Sequence, residues 1–251
     1  MHILFTICGR AGSKGFENKN LKKMRGVPLS FYSLAAIKGY MDKHPEDKVV
    51  VALNTDSDPL VGLVRKQKII PVVYVERKPE LAGDIVAKVE VIKDTFLACN
   101  DFEPDVVVDL DITSPMRRVE DIENIIKEYK KGIYDLVFSV VEARRSPYFN
   151  MVERKPDGFY RKICESKHTA RQQASKSYEM NASIYAYSPD FLRSDITKTI
   201  IDYNCGISMM PDYLVLDIDS EEDFAMMQYL HEFYCNSDDE LKKIYDLAKT
   251  M

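Results

Sequence analysis

The stretch Ile3-Leu-Phe-Thr-Ile-Cys8-Gly9-Arg10-Ala-Gly-Ser-Lys14-Gly15 joins an apolar run typical of a β-strand to a basic loop that contains glycine. Six basic residues and one acid lie between Arg10 and Arg25, although the whole chain has a net charge of -5. In α/β proteins anionic ligands bind at the carboxyl ends of strands, where glycines let backbone N–H groups approach phosphate oxygens. The spacing fits neither a Walker A loop nor the dinucleotide fingerprint. The loop is therefore either a phosphate site of another kind or a solvated basic turn.

Further apolar runs alternate with helical patterns along the rest of the chain. We predict strands over 3–8, 49–53, 72–75, 106–110, 136–140, 181–187 and 213–218, and helices over 28–41, 86–98, 119–131, 220–234 and 238–249. This alternation indicates βαβ units and an α/β fold, with a mainly parallel sheet that has helices on both faces. One hydrophobic core can serve a chain of 251 residues, so we predict a single domain over 1–251.

The alternation stops between about residues 142 and 178. This segment contains Pro147, the turn sequence Pro156-Asp157-Gly158, several aromatic residues and many charges. Prolines and glycines in such clusters mark turns rather than another βα unit. We predict an excursion that contains a hairpin and contacts a partner subunit.

Composition excludes several classes of protein. The negative net charge argues against binding along a nucleic acid backbone, which needs a broad basic face. No apolar run approaches the ~18 residues of a membrane span, and the N-terminal sequence lacks a signal-peptide pattern, so we expect a cytoplasmic protein. The five cysteines are scattered, which suggests neither a disulfide framework nor a zinc site.

Two pairs of aspartates follow apolar runs. Asp217 and Asp219 end the predicted strand at 213–218, and residues two apart on a strand share a side. Both carboxylates could therefore bind one hard cation such as Mg²⁺. The acidic residues 221–223 have a simpler explanation, since Ser220 can cap a helix whose first turn favours acids. Asp109 and Asp111 form a second such pair, which is informative only together with the basic loop.

Several motifs, taken in order, resemble those of the acylneuraminate cytidylyltransferases, the CMP-sialic acid synthetases. Arg10-Ala-Gly-Ser-Lys14-Gly15 with Lys19-Asn20 resembles the signature loop of that family. The later matches are Thr55-Asp56, Glu80-Leu81-Ala82 with Asp84, Thr113-Ser114-Pro115 with Arg117, Arg171-Gln172, Asn181 through Tyr185, and Asp217-Ile218-Asp219. The resemblance covers essentially the whole chain.

This resemblance implies a Rossmann-like nucleotidyltransferase fold, Mg²⁺ as cofactor, CTP and an acidic nine-carbon sugar as substrates, and a homodimer formed through the excursion. It assigns the nucleotide to Arg10, Ser13, Lys14, Lys19, Asn20 and Arg77. It assigns the sugar to Asp111, Thr113, Ser114, Arg171, Gln172 and Asn181, with Arg171 suited to the sugar carboxylate. Asp217 and Asp219 would hold the metal, and Lys14, Arg10 and Asp217 would carry catalysis.

The sequence departs from the sialic-acid pattern at two places. Asp111-Ile112 stands where Gln-Pro is common, and Glu179 stands where Arg often precedes the Asn. The stretches 143–150 and 178–185 look more like the CMP-legionaminic acid branch. Alternatives are activation of another acidic sugar such as pseudaminic acid or a Kdo-like acid, a glycosyltransferase, and a catalytically silent nucleotide-sugar-binding protein.

The implied reaction is attack of the anomeric hydroxyl of the sugar on the α-phosphorus of CTP, with release of pyrophosphate. Such chemistry depends on positioning and charge neutralisation, and it needs no covalent enzyme intermediate. The sequence shows no obvious general base among its four histidines. The proton acceptor stays open between Asp111 and the metal site.

Overall fold

Seven strands form the main sheet of the protein, which we describe from a computed structural model covering residues 1–12 and 15–251, apart from the side chains of Asn100 and Arg171. Two further pairs of strands, β2 with β3 and β8 with β9, lie outside the main sheet. All the described strands, in chain order, are β1 (His2–Cys8), β2 (Lys23–Met24), β3 (Val27–Pro28), β4 (Lys48–Thr55), β5 (Val73–Glu76), β6 (Val106–Leu110), β7 (Leu136–Glu142), β8 (Val152–Arg154), β9 (Tyr160–Lys162), β10 (Tyr178–Tyr187) and β11 (Cys205–Met209). The helices are α1 (Leu29–Lys43), α2 (Asp58–Val64), α3 (Lys88–Ala98), α4 (Val119–Tyr129), α5 (Pro189–Arg193), α6 (Glu221–Tyr234) and α7 (Asp239–Lys249).

The main sheet has the strand order β11-β7-β10-β6-β1-β4-β5. Pairing is parallel from β6 through β1 and β4 to β5, and also between β7 and β11. Within the described part of the main sheet, only β10 runs antiparallel to its neighbours, which are β6 and β7. The predicted α/β fold with a mainly parallel sheet is therefore confirmed.

Side chains of the central strands alternate between two cores, as expected where both faces of a sheet are covered. On β1, Phe5 and Ile7 point into one cluster, which includes buried residues of α1, α4 and α7, whereas Leu4 points into the other. The second cluster lies under α3 and α5. Parallel strands buried on both faces end at one edge, and the loops at that edge contain the candidate site.

The segment from 205 to 218 differs from the prediction. The predicted strand over 213–218 is wrong, because Asp212–Leu214 forms a 3₁₀ turn and the residues after it are irregular. The last strand is instead β11, which the sequence did not suggest. Gly206 on β11 fits there because a β-carbon would lie 2.8 Å from the Tyr134 ring.

The excursion contains the predicted hairpin. Strands β8 and β9 pair antiparallel between the end of β7 and the start of β10. Its aromatic residues Phe159 and Tyr160 are 68% and 69% exposed. The excursion therefore leaves apolar surface uncovered within the single chain, while its predicted role in dimerisation stays a prediction.

Candidate active site

A cavity of about 620 Å³ opens at the carboxyl edge of the main sheet. Its walls include Cys8 at the end of β1, Arg77 after β5, Lys88 at the start of α3, Asp111 after β6, and Asp219 in the loop before α6, which we call the late loop. The predicted residues Arg10, Lys19, Asn20 and Thr113 also line it. The fold therefore brings residues from distant parts of the sequence to one pocket, at the edge where α/β proteins bind anions.

The basic loop that follows β1, which we call the first loop, is held by hydrogen bonds at its described residues. The backbone N–H of Ala11 donates to Oδ1 of Asp56 at 2.7 Å, and the side-chain amide of Asn20 donates to the carbonyl of Arg10 at 3.0 Å. The Arg10 guanidinium lies 2.6 Å from Asp84. Arg10 thus faces the cavity with one acidic neighbour, and Asn20, which is buried, supports the loop from behind. Ser13 and Lys14 lie outside the described residues.

The first loop contacts the late loop that carries the aspartates. Nζ of Lys19 donates to the carbonyl of Ile218 at 2.9 Å and lies 3.1 Å from Oδ1 of Asp219. A β-carbon at Gly15 would lie 2.8 Å from the Asp219 carbonyl, so only glycine permits this approach. The two loops therefore close one wall of the cavity together.

Asp217 and Asp219 are placed differently. Asp219 has a side chain that is 79% exposed and lines the cavity. Asp217 is half-buried, and its Oδ1 accepts from the hydroxyl of Ser114 at 3.3 Å. Burial, together with the charges of Asp111 and Asp219, raises the pKa of Asp217. Because 213–218 is not a strand, the expectation that strand alternation aligns these two carboxylates is wrong.

Two hydrogen bonds to Asn54 hold the Arg77 side chain in place. Its Nε donates to Oδ1 of Asn54 at 2.9 Å, and a terminal nitrogen donates to the Asn54 carbonyl at 3.1 Å. The side chain is buried and forms part of the cavity wall. Arg77 therefore presents a fixed guanidinium rather than a mobile one.

The cavity floor contains an ion-paired cluster at the end of β6. Nζ of Lys88 lies 2.7 Å from Oδ2 of Asp109 and 2.5 Å from Oδ2 of Asp111. The hydroxyl of Thr6 donates to the other oxygen of Asp109 at 2.7 Å. Thr113 donates to Oδ1 of Asp111 through its N–H at 2.9 Å and its hydroxyl at 2.8 Å.

The charges in this cluster stabilise one another. Burial would raise the pKa of Asp111, but Lys88 and the bonds from Thr113 lower it to about 2. Burial would likewise lower the pKa of Lys88, but Asp109 and Asp111 raise it well above its usual value. The floor therefore holds ionised groups of both signs at neutral pH.

Arg117 lies behind this floor and is fully buried. Its guanidinium donates to the hydroxyls of Ser33 at 2.9 Å and Ser183 at 3.2 Å, and to the carbonyl of Ser114 at 2.5 Å. It also donates to the carbonyl of Asp111. Burial lowers the pKa of Arg117 to about 10. The loop after β6 is thus held in place from inside the protein.

Three predicted sugar-binding residues do not line the cavity: Ser114, Gln172 and Asn181. Asn181 is 1% exposed, and its side chain contacts the hydroxyl of Ser139 and the carbonyl of Leu214 at 2.6 and 3.1 Å. The register of β10 shifts beside it. Gln172 is exposed on a short 3₁₀ turn in the excursion, and the Arg171 side chain lies outside the described part.

Sequence reasoning missed Lys88. A cation at the first residue of α3 is unfavourable beside the helix dipole, and the preceding Ala87 offers no side-chain cap. A lone lysine in that position could have indicated that acidic partners lie nearby. Those partners could not be named, because β6 is adjacent to α3 only in the folded chain.

Side chains that can bind a metal ion lie together at two places in the described part of the chain. Among the described residues, one group of three metal-binding side chains has its donor atoms clustered, namely His44, Glu46 and Asp47. None of the three lines the cavity. At the cavity, Asp219 offers an exposed carboxylate, whereas Asp217 is half-buried outside the cavity lining and has its pKa raised by burial and by the charges of Asp111 and Asp219. Two carboxylates suit Mg²⁺, which takes its remaining ligands from water and phosphates, so the residues fit such an ion.

The family model described as "Cytidylyltransferase" matches residues 4–248. The chain belongs to this cytidylyltransferase family. It is therefore a nucleotidyltransferase, and the resemblance found in its motifs is confirmed. Within the described part of this cytidylyltransferase, no helix is both long enough and apolar enough to cross a membrane.

Two curated relatives match this cytidylyltransferase along most of their length. It is 34% identical to the "post-translational flagellin modification protein B" of Campylobacter coli, over 91% of this chain and 94% of that protein. It is also 34% identical to the "CMP-N,N'-diacetyllegionaminic acid synthase" of Campylobacter jejuni, with the same coverage. An N-acylneuraminate cytidylyltransferase of Streptococcus agalactiae is 28% identical over 89% of this chain and 52% of its own length.

Solved structures confirm the nucleotidyltransferase fold. CMP:2-keto-3-deoxy-manno-octonic acid synthetase, solved with CTP, superposes with a TM-score of 0.65 at 14% identity, over 93% of this chain and 99% of that one. A 4-diphosphocytidyl-2C-methyl-D-erythritol synthase of Anaerococcus prevotii superposes with a TM-score of 0.59 at 14% identity, over 92% and 98%. At this identity the likeness concerns the fold alone.

Proposed function

We propose that this cytidylyltransferase transfers CMP from CTP to the anomeric hydroxyl of an acidic nine-carbon sugar, legionaminic or N-acetylneuraminic acid, and releases pyrophosphate. The observation that carries the proposal is the cavity in which the basic first loop faces Asp111 and Asp219. The full-length similarity to the Campylobacter jejuni relative favours a legionaminic acid. The stretches 143–150 and 178–185 favour it as well, while Asp111 and Glu179 depart from the sialic-acid pattern, which has Gln and Arg there.

In this reaction the anomeric oxygen forms a bond to the α-phosphorus of CTP while the bond from that phosphorus to the bridging oxygen breaks. The electron pair leaves with pyrophosphate, and the hydroxyl proton passes to Asp111 or to an acceptor at the metal site. Negative charge grows on the phosphate oxygens, so fixed cations at the loop lower the barrier. We assign this task to Arg10 and Lys14, with Lys19 holding the loop against Asp219.

We assign the nucleotide to Arg10, Ser13, Lys14, Asn20 and Arg77. We assign binding of the sugar to Asp111, Thr113 and Arg171. The guanidinium of Arg171 can form two parallel hydrogen bonds to the sugar carboxylate. Ser114 and Asn181 act from behind the wall by fixing the loop after β6. Gln172 belongs to the excursion and would act on the sugar only if that segment reaches a site.

We further propose that Asp217 and Asp219 hold Mg²⁺, with Asp217 as the residue of this pair that contributes to catalysis. When bound, the ion supplies positive charge against the phosphates of CTP. We place the reaction in the cytoplasm as a single-domain homodimer. The exposed aromatic residues of the excursion, Phe159 and Tyr160, support a dimer formed through that segment.

The test is pyrophosphate release from CTP and Mg²⁺ with legionaminic, N-acetylneuraminic and pseudaminic acid in parallel reactions. We expect release with legionaminic acid at the highest kcat/KM. Release without any acidic sugar, or with none of the three, would contradict the proposal. Replacing CTP by UTP, ATP or GTP is the matched control, and these nucleotides should give no release.

A further inference from the structure

The Lys88–Asp111 pair at the cavity floor has bonding capacity that no described residue of the chain uses. Oδ1 of Asp111 accepts both bonds from Thr113, which fills its two acceptor positions. Oδ2 of Asp111 accepts one bond from Lys88 at 2.5 Å and keeps one position. The Asp111 side chain is 17% exposed, and it lines the cavity.

Lys88 likewise keeps unused capacity, as a hydrogen-bond donor. Its ammonium has three N–H groups, of which one donates to Asp111 at 2.5 Å, while Asp109 lies 2.7 Å from Nζ as an ion-pair partner. The side chain is 33% exposed and also lines the cavity. The centroid of the Tyr185 ring lies 5.6 Å from Nζ. One donor and one acceptor are therefore presented side by side at the floor.

The charge of the unit decides what it can bind. Asp109 is fully buried and has no access to a ligand, so its charge serves to hold Lys88 in place. Lys88 is the one described cation that faces both carboxylates, so this group of three side chains carries more negative than positive charge and has no free cation to attract a phosphate. A bare carboxylate at this position would repel triphosphate and sugar carboxylate alike. The pair instead suits a neutral polar group.

We propose that Lys88 and Asp111 act as one specificity-determining unit, which binds a neutral group of a substrate that carries a hydrogen-bond donor beside an acceptor. This inference rests on the proposed function, because the two candidate sources of the group are its substrates. An amide or a pair of hydroxyls on the acidic sugar has this chemistry, and so do the ribose diol and the cytosine edge of CTP. Lys88 and Asp111 are both contact residues, and the buried Asp109 positions Lys88.

The test is equilibrium binding, measured by titration calorimetry with CTP alone and with each acidic sugar alone. Asp111→Asn retains the shape but replaces the free acceptor by a donor. We expect it to weaken one of the two ligands roughly 10- to 100-fold, the effect of losing a hydrogen bond to a charged group, and to leave the other within about threefold. The weakened ligand identifies the source of the group.

Two further variants keep the test decisive. Lys88→Met should weaken the same ligand as Asp111→Asn, but it leaves Asp109 buried without its cation and can fail to fold, so Asp111→Asn decides. Lys78→Met is the matched control, since Lys78 pairs with Asp94 at 2.5 Å and lies outside the cavity lining. It should change neither affinity by more than about twofold.

The inference is overturned if Asp111→Asn binds both ligands as tightly as the parent protein. It is also overturned if both ligands weaken equally, since that indicates a general disturbance of the cavity rather than recognition of one group. Failure of the proposed function is a separate result, namely no pyrophosphate release by the parent protein. The binding measurement does not depend on turnover, so the two failures are distinguishable.

Discussion

At the cavity floor, Lys88 and Arg117 meet carboxylates, hydroxyls and carbonyls of the same chain, whereas the hairpin of the excursion leaves aromatic rings and charges at the surface. Arg117 is fully buried with its donors engaged, while Arg161 in the hairpin forms a half-exposed pair with Asp157 at 2.7 Å. A buried charge must find its partners inside the chain, because water is excluded. An exposed segment has no such requirement, and its apolar residues remain available to a second subunit.

The largest expected effect concerns the buried side of this comparison. Arg117→Met removes the guanidinium and leaves the Ser33 hydroxyl and two carbonyls without their donor. We expect the free energy of unfolding to fall by roughly 3–5 kcal/mol. Arg161→Met in the hairpin is the control and should cost less than about 1 kcal/mol. Urea titration of both variants measures the difference, and equal costs would contradict the contrast.

The next effect concerns the open side of the cavity. Lys14→Ala removes the cation that we assign to the phosphates, and we expect kcat/KM to fall roughly 100- to 1000-fold with little change in melting temperature. Lys23→Ala removes an exposed lysine of β2 as the matched control. If the turnover of Lys14→Ala equals that of the parent protein, the first loop does not take part in catalysis as we propose.

A buried titratable group extends the comparison to pH. Burial, with the charge of Arg25 added, lowers the pKa of His231 from 6.5 to about 4. The unfolded chain therefore binds a proton that the folded chain excludes between these values, so stability is lost as the pH falls below 6.5. Between pH 7.5 and pH 5 this group should cost roughly 2 kcal/mol.

His231→Gln keeps an acceptor for Arg25, whose guanidinium contacts Nδ1 of His231 at 3.2 Å, and removes the titration. Unfolding free energies measured at both pH values should fall less in this variant than in the parent. His168→Gln, in the excursion, is the control and should keep the pH dependence of the parent. If His231→Gln follows the parent curve, burial of this histidine does not set its acid sensitivity.

The smallest effect on the single chain is expected in the excursion. Phe159→Ser combined with Tyr160→Ser should convert the proposed dimer to monomers and change the unfolding free energy of the monomer by less than about 1 kcal/mol, because both rings are already exposed. Light scattering gives the mass. Ile133→Ser, which removes an equally exposed side chain outside the excursion, should leave the dimer intact. A parent protein that is monomeric would refute the proposed dimer.

Strong periodic patterns allowed most elements to be predicted. The strands at 3–8, 106–110 and 136–140 match β1, β6 and β7 closely, since each is an apolar run with a single polar residue and is buried on both faces. The helices at 220–234 and 238–249 match α6 and α7, because Ser220 and Asp238 cap their first turns. The short helices α2 and α5 were not predicted. Their five to seven residues carry too little periodicity to stand out.

Prediction from the sequence failed where the same local pattern is compatible with more than one structure. The run Tyr213-Leu-Val-Leu reads as a strand, but the chain turns there, Leu214 enters the core, and Tyr213 stacks on Tyr234 with ring centroids 4.0 Å apart. Strand β11, by contrast, contains Gly206 and Ser208 and gives only a weak β signal. Packing against the Tyr134 ring and pairing with β7 supply what the residues themselves lack.

The sequence by itself determined the fold class, the family and the cavity residues of the first loop, because these depend on short apolar runs and on residues that are neighbours in the chain. Only the tertiary structure decided that Lys88 joins Asp109 and Asp111, that Asn181 is buried behind the cavity wall, and that Asp217 and Asp219 do not follow a strand. The physical reason is burial. Which charges pair, and which polar groups are hidden from water, depends on contacts between residues far apart in the sequence, and local patterns contain no record of those contacts.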